Sequence, residues 1–471
     1  MKLARPLSWA LPALFTALVV SWRAGTPEPW RDEMASWSAA GRTVGEISEL
    51  GRNIDGVTVP YYLFLHVWIG LFGDSVIAMR VPSVIAMTAT AAVVALLARR
   101  WWGERAGLLA GLLFAVVPAV SRYGQEIRGY AFAALFAALA TLLLAIALER
   151  WWVWTSYGLA VALTGLSHLL SLLVLTGHAV LVLVAVRRGG RLRVLWWLLA
   201  LVAAAGVVLP MTSAGLGEQS AQLNWLTAAT LPELARAIGA IFLVPAVTVL
   251  VGLLAVAAPR RSPGAPVLVL WSAVVLPIGT LYAYDHFVAP IFVARYLLFV
   301  VPLLCALAGA ALAPFRLPWA LVPVLVVAAV GAPSQRSIRR AHSSSDYRAA
   351  AEVVLTHQQA GDGIIYAPRR GWQMTDLGLE YYLGDRAPKD VLLASDEVAN
   401  ASLWATECAD AAKCLGSTQR VWVVAADNLS PAFRATVTNQ LSSSAKAALA
   451  GYQRSGSWRV RGFTVTLLTL S

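Results

Sequence analysis

Charge is scarce in this chain. Asp, Glu, Lys and Arg make up 13% of its 471 residues, and 59% are hydrophobic. A soluble protein of this size carries about 25% charged residues. The deficit falls in long apolar runs, which excludes an ordinary soluble enzyme and marks an integral membrane protein. Cysteine is also scarce. Three residues are too few for a disulfide framework. Cys305 lies in an apolar run and reads as packing. Cys408 and Cys414 lie in the polar C-terminal part and can pair if that part faces an oxidising compartment. Nucleotide-binding signatures are missing, with no P-loop and no G-x-G-x-x-G after a strand, and there is no G-x-S-x-G nucleophile elbow. No His, Cys and Asp cluster has zinc-ligand spacing, and no internal repeat or low-complexity tract is present.

The apolar runs come next. A spanning helix needs about 20 mostly apolar residues. That ruler gives 7–22, 78–99, 106–121, 128–148, 152–168, 170–187, 194–212, 237–258, 267–284, 296–313 and 317–333, about eleven spans. The first follows Lys2 and Arg5 and reads as an uncleaved span, because no good small-residue cleavage site follows it. The formal charge of +12 forms no basic tract, so nucleic acid is not implied. Its arginines sit in short segments such as Arg99–Arg105, Glu149–Arg150, Arg187–Arg193 and Arg260–Arg261. The alternate segments hold the acids, among them Asp32, Glu33, Glu46, Glu49, Asp55, Asp74, Glu126, Glu218, Glu233 and Asp285. The positive-inside rule then places the N-terminus in the cytoplasm and the C-terminus outside, in a multi-pass protein of the plasma membrane.

Two outer loops are long, about 23–77 and 213–236. Within the first, Ser36–Gly51 and Tyr61–Phe72 read as interfacial helices. From about Ser334 the composition turns soluble. "DYRAAAEVVLTHQQAGDGIIYAP" reads as helix, Gly turn and strand, "LEYYLG" as a Gly-capped helix end, "RVWVVAAD" as a buried strand, and "YQRSGSWRVRGFTVTLLTL" as a terminal strand pair. The chain therefore divides into a membrane domain, 1–333, and an extracytoplasmic α/β domain, 334–471.

Three polar segments carry candidate chemistry. In Trp30-Arg31-Asp32-Glu33-Met34-Ala35-Ser36-Trp37, a carboxylate just outside the hydrocarbon suits a general base for a hydroxyl. The same acids also suit the first turn of an interfacial helix. Arg122-Tyr123-Gly124-Gln125-Glu126-Ile127-Arg128-Gly129-Tyr130 could bind a phosphate and orient a sugar, or could be snorkelling arginines paired with Glu126. The third segment, Tyr282 through Asp285, His286, Arg295 and Tyr296, offers a guanidinium at headgroup depth, or an aromatic belt. His168 and His178 read as hydrogen-bonded packing residues. A divalent cation at Asp32 and Glu33 stays open, with no third ligand evident.

The order of these segments adds information. "WRDEMASW", "YYLFLHVWIGLFGDSVIAMRVPS", "SRYGQEIRGYAF", "ARYLLFVVPLL" and "DYRAAAEVVLTHQQAGDGIIYAP" together resemble the bacterial family 39 glycosyltransferases. That group includes protein O-mannosyltransferase-like and aminoarabinose-transferase-like enzymes of the GT-C fold. The resemblance implies a polytopic α-helical membrane transferase with a polyprenyl-phosphate-sugar donor. The acceptor hydroxyl would be on a protein, glycan or lipid. It places the catalytic base on Asp32, with Glu33 beside it. It places donor and sugar contacts on Arg122, Tyr123, Gln125, Glu126, Arg128, Tyr130, Arg295 and Tyr296. Tyr61, Tyr62, His66, Asp285 and His286 complete the candidate substrate contacts. Where the family has His-Pro-Pro or Lys-Pro-Pro, this chain has Val57-Thr58-Val59-Pro60. If that basic residue grips the donor phosphate in the family, another cation must do so here.

Competing readings are an arabinofuranosyltransferase on the same fold, a transporter of a lipid-linked sugar, and a non-catalytic glycan-binding membrane protein. Transport calls for ionisable groups deep in the spans, and these spans carry almost none.

Overall fold

A computed structural model describes residues 6–187, 191–222, 228–261, 264–427 and 440–471. Among them, seven helical segments are long and apolar enough to cross a membrane. They are Val76–Trp102, Tyr130–Ala147, Leu169–Val186, Leu192–Met211, Ala265–Phe287, Ala294–Leu312 and Leu317–Ile338. Glu104–Val116 and Pro118–Gly124, bent by 65° at their junction, make an eighth when counted as one span. Pro118 sits at the first position of the second piece. Its missing N–H and fixed φ favour restarting a helix over continuing one.

Of the eleven apolar runs expected to span, seven or eight therefore reach a spanning length among the described residues. All eleven apolar runs do fall on helices. The three that fall below that length are Leu7–Ser21, Trp154–Ser167 and Pro245–Arg261, with 15, 14 and 17 residues. At 1.5 Å per residue these reach about 21–26 Å, under the ~30 Å hydrocarbon thickness. Apolar content shows in a hydropathy scan, but the place where the helix starts does not. The run 237–258, for example, is divided between Leu231–Gly239 and a helix that begins at Pro245. Of the second outer loop, 223–227 lies outside the described residues, as do Lys2 and Arg5, while Arg191–Gln222 is helical.

The chain packs as two compact units. The first holds 1–24, 55–61 and 75–340. Its helices approach closely through small residues, as lipid-embedded bundles do. At Gly309, a Cβ would lie 2.5 Å from the Ala110 Cβ. Leu297 through Leu312 is almost entirely buried.

The second unit holds 25–54, 62–74 and 341–471. Most of the segment 23–77 therefore packs with the C-terminal part, although the linear division at 333/334 counts it with the spans. The loop forms helices Arg31–Ala40 and Val44–Asn53 and contributes most of Val59–Phe72. Polar contacts stitch it down. The Arg42 Nη2 donates to the Ser402 carbonyl at 2.7 Å, Asn53 to the Ala401 carbonyl at 3.3 Å, and Ser38 to Glu397 at 3.3 Å.

The C-terminal part contains strands β1 (Gly363–Ala367), β2 (Lys389–Asp390), β3 (Leu393–Ser395), β4 (Thr406–Glu407), β5 (Arg420–Ala426), β6 (Tyr452–Val460) and β7 (Phe463–Leu470). The main sheet runs β2-β1-β5-β7-β6. β1 is parallel to β2 and β5, and β7 is antiparallel to β5 and β6, with Ile365 opposite Val423 and Val423 opposite Thr466. β1 and β5 are buried along nearly their whole length, as near-continuous apolar runs require. β6 alternates and forms the edge. Helices Tyr347–His357 and Thr375–Leu383 flank the sheet, the second ending at Gly384 with φ 53°. Cys408 and Cys414 are disulfide-bonded.

Candidate active site

In the membrane-spanning unit, two polar segments distant in sequence come together. The Arg122 Nη1 meets the Glu126 carboxylate at 2.7 Å, and Glu126 is fully buried. Ser83 donates to the Glu126 carbonyl at 2.6 Å. Gln125 turns inward and donates to the carbonyls of Val20 and Trp22, which fixes the turn to the first helix. The turn then runs against the end of Trp154–Ser167. A Cβ on Gly129 would fall 2.4 Å from the Ser167 carbonyl oxygen, so only glycine permits that approach.

The rings form a chain. Tyr123 meets Tyr130 edge-on at 5.8 Å, Tyr130 meets His168 at 5.4 Å, and His168 meets Tyr296 at 4.9 Å. The Arg295 Nε donates to the Tyr130 hydroxyl at 3.1 Å, and its guanidinium lies 5.7 Å from the Tyr296 ring. The charges of Arg128 and Arg295 both act on His168. The structure therefore gathers Arg122, Tyr123, Glu126, Arg128, Tyr130, Arg295 and Tyr296, and adds His168. Cations held between aromatic faces at the end of a span can grip a phosphate monoester or diester.

Other residues singled out in the sequence have local partners. Asp285 is buried and accepts three backbone amides at 2.6 Å each, from Ala229, Ile291 and Phe292. It braces the turn that leads into Arg295. His286 is exposed between the rings of Tyr282 and Phe287. Tyr61 packs against Phe132 at 6.3 Å.

In the second unit the adjacent acids separate by role. Glu33 is fully buried, and its Oε2 accepts the Trp30 amide at 3.0 Å, capping the helix. The His342 Nδ1 lies 3.8 Å from the same oxygen. Asp32 keeps 17% of its side chain exposed and faces Arg31 at 3.4 Å. Asp32 is thus the more accessible acid of the pair. His66 contacts the Ala40 carbonyl at 3.0 Å, and Tyr62 is fully buried beside Arg42.

Sequence reasoning passed over Glu28, Arg348 and Tyr382. The Tyr382 hydroxyl donates to Glu28 at 2.5 Å, the Arg348 Nε lies 3.3 Å from the other Glu28 oxygen, and the guanidinium covers the Tyr382 ring at 5.4 Å. Burial first, and then the Glu28 carboxylate, push the Tyr382 phenol far above its ordinary range, so it stays a proton donor. This trio pins the strand entering the Asp32 helix. Its one signal is an acid set between Pro27 and Pro29. Trp37 is held likewise, its Nε1 donating to Asp74 at 3.1 Å and its ring meeting Tyr381 at 5.2 Å. Among the described residues no three His, Cys, Asp or Glu side chains converge as metal ligands.

Comparison with known structures places this geometry. The ArnT of Cupriavidus metallidurans, in a structure bound to undecaprenyl phosphate, superposes with a TM-score of 0.63 over 98% of each chain at 15% identity. The fold is that of the GT-C glycosyltransferases. The oligosaccharyltransferase of Archaeoglobus fulgidus, in a structure tethered to an acceptor peptide, shares it. There the TM-score is 0.53 at 11% identity, over 97% of this chain and 74% of the other. Residues 58–213 match a family described as dolichyl-phosphate-mannose-protein mannosyltransferase. No curated protein matches the sequence.

Proposed function

We propose that this GT-C protein transfers a sugar from a polyprenyl-phosphate donor to an acceptor hydroxyl at the extracytoplasmic face of the plasma membrane. The observation that carries the reading is the meeting of Arg128, Arg295, Tyr130 and Tyr296 around His168 at the ends of spanning helices. Val57–Pro60 offers no cation, and Arg295 and Arg128 supply the positive charge that a phosphate needs. The undecaprenyl phosphate in the ArnT structure supports a donor of that class.

In the transfer, the acceptor oxygen attacks the anomeric carbon as the bond from that carbon to the phosphate oxygen breaks. The leaving phosphate departs already ionised, so it calls for cations and no proton donor. Asp32 takes the hydroxyl proton, and in-line attack inverts the anomeric centre. Glu33 holds the helix that presents Asp32. The N-terminus is cytoplasmic. The second unit, with Asp32 and the Cys408–Cys414 disulfide, is extracytoplasmic, where disulfides persist.

The family match supports mannose as the sugar. Arabinofuranose on the same fold is the second reading, and the acceptor is a protein, glycan or lipid. The test is a donor screen in detergent with polyprenyl-linked mannose and arabinose, using the wild type and Asp32→Asn. Transfer by the wild type alone supports the proposal. Equal turnover by Asp32→Asn rejects Asp32 as base, and no transfer of any sugar rejects the enzyme.

A further inference from the structure

The helices Trp154–Ser167 and Arg191–Gln222 lie against each other along a line of small residues. A Cβ on Gly158 would sit 3.2 Å from the Ala200 carbonyl oxygen, and one on Gly165 would sit 2.9 Å from a Val208 methyl. Such close backbones leave a crease beside them. It is a groove of about 390 Å³, lined by Trp151, Trp154, Leu159, Ala162, Trp196 and Ala203 among others, with no charged side chain. At one end the Trp151 and Trp196 rings stand 6.2 Å apart.

Three arginines mark that end. Arg150 directly precedes Trp151, Arg193 lies one helical turn before Trp196, and Arg187 follows the helix Leu175–Val186. The neighbouring acid, Glu149, is already paired with Arg100 at 2.6 Å. The arginine end is also remote from the cluster described above. His168 caps the opposite end of the 14-residue helix Trp154–Ser167, about 20 Å away along its axis.

We propose that this groove binds one anionic diacyl phospholipid, its phosphate held by Arg150 and Arg193 and an acyl chain lying over Gly158 and Ala203. The lining is apolar apart from Thr155 and the indole N–H groups, and the tryptophans suit the headgroup boundary. Arg193 donates only to the Ala185 carbonyl at 3.5 Å, and neither Arg150 nor Arg193 meets an acid among the described residues, so the arginines select negative charge. A polyprenyl phosphate gripped by Arg295 would carry its head at the other end of the helix. A second copy of the chain would bring arginine against arginine.

The test uses the full chain, delipidated in mild detergent, with native mass spectrometry and thermal unfolding. Dioleoylphosphatidylglycerol is expected to bind one to one and raise Tm by several degrees. Dioleoylphosphatidylcholine should bind roughly tenfold more weakly, a gap of about 1.4 kcal/mol, and glycerol 3-phosphate should not bind. Arg150→Gln with Arg193→Gln should bring phosphatidylglycerol down to the phosphatidylcholine level. Ala203→Phe, on an exposed position, should fill the groove and weaken both lipids. Equal binding of the two lipids, a charge preference that survives the double substitution, displacement by polyprenyl phosphate, or a dimer in place of the lipid complex would each overturn the proposal. If Ala203→Phe fails to fold, the arginine pair decides alone.

Discussion

Arg295 and Asp32 are held by different means. In the membrane-spanning unit, Arg295 is fixed by side chains, with the Tyr130 hydroxyl on its Nε and the Tyr296 face beside it. The backbone before it is tied to Asp285. In the second unit Asp32 faces Arg31 at 3.4 Å. Its helix is held around it, by Glu33 on the Trp30 amide, by Glu28 with Arg348 and Tyr382, and by Trp37 on Asp74. Arg295, as the proposed phosphate contact, is gripped at the side chain. Asp32, as the proposed base, has its scaffold gripped instead.

The contrast is broken most severely at Asp32. Asp32→Asn keeps the size and the Arg31 contact and loses the proton acceptor. We expect kcat to fall about 100- to 10,000-fold with an unchanged Tm. Glu33→Ala should do the reverse. It removes a buried cap, costing about 1–2 kcal/mol of stability, visible as a lower Tm with a smaller loss of kcat. If the two variants exchanged signatures, the roles assigned here would be reversed.

Arg295→Ala comes next. Loss of a charged contact to a phosphate costs about 1.5–3 kcal/mol, so KM for the donor should rise roughly 10- to 150-fold with kcat less affected. Tyr130→Phe removes only the oxygen on the Arg295 Nε, and about 1 kcal/mol predicts a fivefold rise. An unchanged KM in both would remove Arg295 from the donor site.

Asp285→Asn probes the brace. An amide nitrogen cannot accept, so one side of a buried three-amide cluster loses its acceptor, at about 1–3 kcal/mol. Lower Tm together with a higher donor KM is expected. An Asp285 that touched substrate directly would raise KM at constant Tm.

Much of this was legible in the sequence, and the remainder has identifiable physical causes. The turn Arg122–Tyr130 and the pair Arg295–Tyr296 were readable because each is a short run of unusual residues between apolar spans. The buried strands β1 and β5 and the pair β6–β7 were readable from their apolar patterns. His168 was not legible as a member of the cluster. It joins through the approach of Gly129 to Ser167, a fact about two distant backbones. The bracing role of Asp285 was not legible because its partners are backbone amides, which every residue type except proline carries. The first loop reads as an appendage of the spans, yet Arg42, Asn53 and Ser38 fasten it to residues 397–402. No local pattern announces partners about 350 positions away.

The smallest expected effect concerns pH, and it falls on the scaffold side of the contrast alone. Helix Thr375–Leu383 packs beside the Asp32 helix and carries Asp376 and Glu380. Burial pushes Asp376 up to about 6, against the pull of Arg369 and the Leu377 amide. Burial, then Glu397 and Asp376, push Glu380 up to about 7. Both values exceed those of an unfolded chain, about 4. The folded state therefore binds more protons across that window. Stability from these groups is complete below about pH 4 and is lost as pH rises through 6 to 7. Unfolding of the wild type should become easier between pH 5 and 8, by less than the nominal shifts suggest because Glu380 is open to solvent. Asp376→Asn should flatten most of that slope while leaving donor KM unchanged at every pH, since Arg295 lies in the other unit. A slope that persists in Asp376→Asn would place the titrating group elsewhere. A parallel drift in donor KM would mean that the scaffold and the grip are not separate devices.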